Sequence, residues 1–263
     1  MIWRFVVAAL GWVPALLLAL GVVSLPARAS IRGCDPGYLQ AAYGEPHRLA
    51  AVEGAIYALL ANNAYDDREQ PQFALPGDWQ LASRTAEGDL QYSLFEQHRD
   101  GVIVKVVIAF RGTDSERDWW TGNIIGEQYE QAAQIVRSVQ QRYPGTALIA
   151  TGHSLGGGLA LHVSMRFAGV SAYAFNPSPL VRQPETIARN RRVIYWEADD
   201  VLHWARWAWQ KTPGAVYWRF SFVRGNGHNA LVLAKGLLML GALMNPDLAN
   251  TLQQNCQINP LQD

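Results

Sequence analysis

Cysteine occurs twice in 263 residues, lysine three times, and neither sign of charge is in excess, with 22 basic against 22 acidic side chains. Neither Cys34 nor Cys256 has a histidine or a second cysteine at ligand spacing, which removes the zinc-binding readings. The remaining 19 basic residues are arginines spread along the chain with no basic patch, so nucleic acid is not an expected partner. Internal repeats and interdomain linkers are also lacking. Only 17% of residues are charged against 49% hydrophobic, which excludes a disordered chain and suits one domain large enough to bury a substantial core.

The N-terminus reads apart from the rest. MIWRF carries one arginine, VVAALGWVPALLLALGVVSL is apolar, and ARA ends at Ala29 with small residues at the spacing signal peptidase requires. Residues 1–29 are therefore expected to be a signal peptide and residues 30–263 the exported domain. The alternative is an uncleaved anchor over residues 2–25, since the apolar run is long enough to span a bilayer. In an exported chain the natural reading of two cysteines is a Cys34–Cys256 disulfide, with two unrelated buried thiols as the alternative.

From Pro46 to Asn63 the apolar positions Leu49, Val52, Ile56, Leu59 and Leu60 recur at helical spacing. Residues 67 to 90 read as loop. LQYSLFEQHRDGVIVKVVIAF reads as two strands joined by a turn at Arg99-Asp100-Gly101. A helix from about Asn123 to Tyr143 follows, then the strand TALIAT and a glycine-rich turn into LALHVSMRFA. GVSAYAFNPSP, RRVIYWEADD and AVYWRFSFV supply further strands, and ALVLAKGLLMLGALM reads as a packed helix interrupted by Lys235. This succession implies an α/β chain with a mostly parallel sheet flanked by helices.

TGHSLGGG contains Gly-x-Ser-x-Gly at Gly152, Ser154 and Gly156. A short match of this kind is weak by itself, but an apolar strand runs into it and a small-residue helix start runs out. A serine on such a turn has its hydroxyl pushed above the sheet, and glycines two residues to either side let backbone and helix approach closely.

GHSLGGGLA, together with FRGTD at 110 to 114, resembles the class 3 lipases of the alpha/beta-hydrolase fold, which include fungal triacylglycerol lipases. The resemblance implies a serine nucleophile at Ser154 and oxyanion-hole donors at Thr113 and Leu155, and it needs no cofactor and no metal. It also implies an order of nucleophile, acid, histidine along the chain. His47 and His98 precede the nucleophile, His153 lies inside the turn and His162 on the helix after it, which leaves His203 and His228. In WEADDVLHW, His203 follows two aspartates closely enough for a local pair if the stretch is helical. The apolar run before it argues instead for a strand ending near Asp199, with His228 presented on the RGNGHNA loop after the next strand. The family pattern Asp-x-Val matches Asp199-Asp200-Val201 with Asp199 in the acid position, although Leu202 stands where a proline is common. The expected triad is therefore Ser154, Asp199 and His228. Family members with a lid carry a short helix after the Arg-Gly motif, and here it would present Trp119, Trp120, Ile124 and Ile125. Some fungal members also clasp their termini by a disulfide.

The expectation is a carboxylic ester hydrolase working through an acyl-enzyme on lipid at a lipid–water interface. By this resemblance it is first a triacylglycerol lipase, with phospholipase or soluble acyl esterase as alternatives. A reading from another class is a catalytically silent lipase-like protein that binds a membrane or a partner through its tryptophans. Acyl preference and oligomeric state are not legible in the sequence.

Overall fold

VIVKVVIAF, TALIAT and RVIYW carry apolar residues at consecutive positions because both faces of these strands are covered, the signature of a parallel sheet between helical layers. A computed structural model of the chain describes residues 33–65, 71–87, 90–112, 122–179, 181–202, 211–225 and 227–258. Seven strands form one sheet in sequence order: β1 (Trp79–Glu87), β2 (Leu90–Arg99), β3 (Val102–Phe110), β4 (Ala147–His153), β5 (Val170–Phe175), β6 (Arg192–Glu197) and β7 (Ala215–Phe220). The pairs β1–β2 and β2–β3 are antiparallel and the pairs from β3 to β7 are parallel.

Alternation along β3 sends side chains to two separate cores. Val107 and Ala109 join a core formed with α1 (Gly37–Ala42), α2 (Glu45–Asn62), α5 (Ala230–Ala242) and α6 (Pro246–Ile258). Val106, Ile108 and Phe110 join a core on the other face, with α3 (Gly122–Arg142) and α4 (Leu155–Arg166). A mostly parallel sheet covered by helices on both faces, with a serine at a strand-to-helix turn, is the alpha/beta-hydrolase fold the sequence implied.

The hairpin turn falls where expected, with Asp100 at φ 52° and Gly101 at φ 76°, the left-handed pair that matches strand twist in a two-residue loop. The helix beginning after the loop of His228 is packed as expected: Asn229 caps it by accepting from the Val232 N–H at 3.2 Å, and Gly236 lies so close to the Phe222 ring that a Cβ would clash. Among the described residues no helix is long and apolar enough to cross a membrane. The segment 1–29, with its expected cleavage, lies outside the described residues.

Three expectations change. Residues 79–87, expected as loop, form β1, an edge strand whose partner lies on one side only and which bulges between Leu81 and Ser83. An edge strand needs little apolar periodicity, so it left no pattern to read. The helix over 45–62 exists with Leu59 and Leu60 buried as expected, but the rest of its buried face is largely Ala50, Ala51, Gly54, Ala55 and Ala58, while Leu49 is 52% exposed. Small residues win that face because α2 lies close on the sheet, with Gly54 against the Tyr195 ring. The helix α6 was not foreseen at all.

Cys256 on α6 is bonded to Cys34, as expected, across 222 residues of sequence with Cα atoms 6.1 Å apart. A closed loop of that length gives about 5 kcal/mol in the chain-entropy model, an upper figure. Cys34→Ser with Cys256→Ser is therefore expected to lower the urea midpoint and to raise the m-value, because the freed denatured chain exposes more surface. Stability equal to the wild-type protein sinks this account of the clasp.

Candidate active site

The carboxyl ends of the parallel strands gather the chemistry. Ser154 follows β4, Asn176 follows β5, the 198–202 turn follows β6, and the 221–229 loop follows β7. Ser154 has φ 58° and ψ −124°, a backbone conformation that costs a non-glycine residue on the order of 1–3 kcal/mol. Glycines allow it. A Cβ on Gly152 would enter the Gly156 backbone, and one on Gly156 would enter the Phe110 carbonyl. Ser154 donates its N–H to the Phe175 carbonyl at 3.1 Å and accepts from the N–H groups of Gly158 and Ser178 at 3.1 and 2.8 Å. Leu155 opens α4, so its N–H belongs to the first turn, where no earlier carbonyl in the helix claims it. The end of β3 reaches this turn too: a Cβ on Gly112 would stand 2.8 Å from the His153 carbonyl and 3.3 Å from Ser154 Cβ. Thr113, His203, Trp119 and Trp120 lie outside the described residues, as do the side chains of Ile124 and Ile125.

His228 is held beside the turn, its ring centroid 4.7 Å from that of His153. Its Nδ1 lies 2.8 Å from Oδ1 of Asp200, whose side chain is fully buried. A carboxylate only accepts, so Nδ1 carries a proton, and in the neutral imidazole the lone pair then falls on Nε2, the tautomer a general base needs. The contact thus falls on Asp200 and not on Asp199, against the sequence expectation. The reason is where the strand stops. β6 ends at Glu197, and a turn closed by the Asp200 N–H to the Glu197 carbonyl at 3.2 Å swings Asp200 inward. Asp199 instead accepts from the Gly225 N–H at 3.2 Å through Oδ2 and from the Gly227 N–H at 3.3 Å through its carbonyl. Gly227 lies flat on the Asp199–Asp200 peptide, where a Cβ would stand 2.6 Å from the Asp200 nitrogen. The glycine is what lets His228 come down onto Asp200.

The other described histidines have local partners. His98 meets Glu96 at 3.1 Å, and His162 contacts the Arg182 carbonyl at 2.6 Å, its pKa lowered by burial. His47 stacks edge-on against Trp218 and Phe220, and burial lowers its pKa as well. His153 contacts the Tyr65 hydroxyl at 3.0 Å through Nδ1.

Sequence reasoning gave no bracing role to two buried residues. Asn176 carries no motif beyond an Asn-Pro turn signal. Glu197 closes the strand run with a carboxyl that accepts the N–H groups of Phe222 at 2.6 Å and Val223 at 3.3 Å through Oε1, while Oε2 meets no partner among the described residues. Burial pushes this carboxyl up to about 7, the two backbone donors pull against that, and the charges of Asp199 and Asp200 add to it. A raised folded-state pKa means the native state holds a proton the unfolded chain releases between about pH 4.5 and 7. The resulting stabilisation, on the order of 3 kcal/mol, is full below pH 4.5 and is lost as pH rises through 7. Glu197→Gln should flatten that part of the stability–pH curve, and a variant whose curve runs parallel to wild type contradicts the assignment. Among the described residues no group of three or more His, Cys, Asp or Glu side chains is placed to hold a metal ion.

Comparison with known proteins finds phospholipases and lipases. Over 84 residues the chain is 38% identical to the extracellular phospholipase A1 of Serratia liquefaciens, a stretch covering 27% of this chain. It spans only 26% of that relative's length. Solved structures of similar fold include a Rhizomucor miehei lipase propeptide complex, 16% identical with a TM-score of 0.46 over 75% of this chain and 76% of that one. A triacylglycerol lipase from Penicillium expansum is also 16% identical, with a TM-score of 0.46 over 72% and 88%. Residues 56–209 match the model of the Tle-like phospholipase domain. That match takes in more than half of the chain, which therefore belongs to the phospholipase-like family that this domain defines.

Proposed function

We propose that the protein is an exported serine hydrolase that cleaves acyl esters of phospholipids, with Ser154 as nucleophile, His228 as base and Asp200 as the acid that orients it. The observation that carries this reading is the buried Asp200–His228 contact of 2.8 Å beside a serine held at φ 58°. Ser154 Oγ attacks the acyl carbonyl while its proton passes to His228 Nε2. The oxyanion formed is met by the Leu155 N–H and by Thr113, and the start of α4 favours negative charge there. Collapse breaks the ester C–O bond. His228 returns its proton to the departing lysolipid alcohol, leaving an acyl-Ser154 that water hydrolyses by the reverse sequence of proton transfers.

The substrate class rests on the family and on the stretch shared with an extracellular phospholipase A1. Triacylglycerol remains the second reading, on the resemblance of GHSLGGGLA and FRGTD to class 3 lipases. Export is supported by the disulfide, which persists in oxidising compartments, and by the N-terminal signal pattern. Residues 30–263 should be assayed for fatty acid release from phosphatidylcholine and phosphatidylethanolamine vesicles, from triolein emulsion and from soluble p-nitrophenyl esters, beside Ser154→Ala. Release from phospholipid that vanishes in the variant is the expected result. Preference for triolein moves the protein to the second reading, and inertness on every substrate with no labelling by a fluorophosphonate sinks both.

A further inference from the structure

The segment at the end of β5 touches all three parts of the chain that bear the proposed catalytic groups. The Phe175 carbonyl accepts the Ser154 N–H at 3.1 Å, and two residues beyond Asn176 the Ser178 N–H donates to the Ser154 carbonyl at 2.8 Å. Between them Asn176 spends both ends of its amide. Oδ1 accepts the Glu197 N–H at 2.8 Å, three residues before Asp200. Nδ2 donates to the Gly227 carbonyl at 2.9 Å, the peptide group whose nitrogen belongs to His228. Its own N–H donates to the Tyr195 carbonyl at 2.8 Å.

Asparagine suits this place on two counts. Asn176 is fully buried and has φ 41°, a left-handed conformation that asparagine tolerates better than most side chains. One bridge needs an acceptor and the other a donor, which an ionised aspartate cannot supply. Ion pairs do not take part in the linkage, so it is a neutral strut between two backbones. At the far end of the same loop the Glu197 carboxyl holds the Phe222 and Val223 N–H groups. The loop bearing His228 is thus tied to the end of β6 at both its ends, and Asn176 makes the tie next to the imidazole.

We propose that Asn176 is a positioning residue for the reaction: its side-chain amide sets the distance between the Asp200 turn and the His228 loop and holds both in register with Ser154. This rests on the reading of the site given above. The imidazole must serve Asp200 through Nδ1 and the serine through Nε2 at once, so a displacement of about 1 Å costs roughly 100-fold in rate. Asn176→Asp keeps the shape, the left-handed tolerance and the acceptor toward Glu197, but sets a carboxylate oxygen against the Gly227 carbonyl. Asn176→Gly relieves the backbone and removes both bridges without adding charge.

The test uses residues 30–263 with a soluble p-nitrophenyl ester, the rate of fluorophosphonate labelling at Ser154, and the downfield proton NMR signal of His228 Nδ1–H. In Asn176→Asp, kcat and the labelling rate should fall roughly 10- to 100-fold with KM little changed, and the downfield signal should shift or broaden. If Asn176→Asp is recovered unfolded by circular dichroism, Asn176→Gly carries the same comparison. A folded variant with lowered Tm but wild-type kcat and an unmoved proton signal overturns the positioning role, because a purely structural brace predicts that pattern. Ser154→Ala runs alongside. An inactive Ser154→Ala with a fully active Asn176→Asp overturns this inference alone, whereas an active Ser154→Ala overturns the reading of the site.

Discussion

Ser154→Ala should lose ester hydrolysis by a factor on the order of 10⁶ in kcat while the protein stays folded. The hydroxyl is the only group at that position able to form the acyl-enzyme, so nothing in the remaining machinery substitutes for it. Stability should hardly change, because the turn is secured by backbone contacts that alanine retains: the Ser154 N–H to Phe175, and the Gly158 and Ser178 N–H groups to its carbonyl. Ser154→Gly sharpens the point. Glycine removes the strain of φ 58°, so this variant should be as inactive as alanine yet more stable by about 1 kcal/mol. Higher stability in an inactive protein indicates that the fold bears a cost to present this hydroxyl. Turnover above a few per cent of wild type in Ser154→Ala removes it from the chemistry, and a destabilised Ser154→Gly refutes the strain.

The parts of the molecule readable in sequence were those in which one residue type has no substitute. Gly152 and Gly156 mark the serine turn because any Cβ there enters backbone, and Asp100-Gly101 marks the hairpin because both positions are left-handed. The runs in β3 and β4 announced a sheet buried on both faces. What stayed hidden depends on tertiary contact. β1 gains its place from backbone pairing with β2, which asks little of its side chains. The buried face of α2 combines Leu59 and Leu60 with alanines and Gly54, and of the larger apolar residues that caught the eye Leu49 points outward. The choice between the aspartates turned on a strand ending two residues earlier than the apolar run suggested, and on the seat that Gly227 gives the loop. Asn176 and Glu197 do their work through pairs of hydrogen bonds to remote backbone, which no spacing within WEADD or FNPSP encodes.

The two aspartates should part widely under the same substitution. Asp200→Asn is expected to cut kcat by roughly 10⁴, and Asp199→Asn by far less. Asp200 Oδ1 already accepts two hydrogen bonds, from His228 Nδ1 at 2.8 Å and from the Leu202 N–H at 2.9 Å. In the asparagine variant the amide has two orientations. With its oxygen toward His228 the tautomer survives, but a neutral group replaces the charge that stabilises the imidazolium as the serine proton arrives. With its NH2 toward His228 the imidazole must accept at Nδ1, which puts the remaining proton on Nε2 and blocks the base. Both routes are costly, and the complete burial of the Asp200 side chain keeps water from restoring the lost charge. Asp199→Asn keeps an oxygen for the Gly225 N–H at 3.2 Å and leaves the backbone seat of Gly227 untouched, so the loop stays in place. Single-turnover acylation by a p-nitrophenyl ester, compared for the two variants at matched folded fraction, gives the ratio directly. A greater loss at Asp199 returns the acid to the position the sequence pattern favoured, and equal small losses mean that neither carboxylate orients His228.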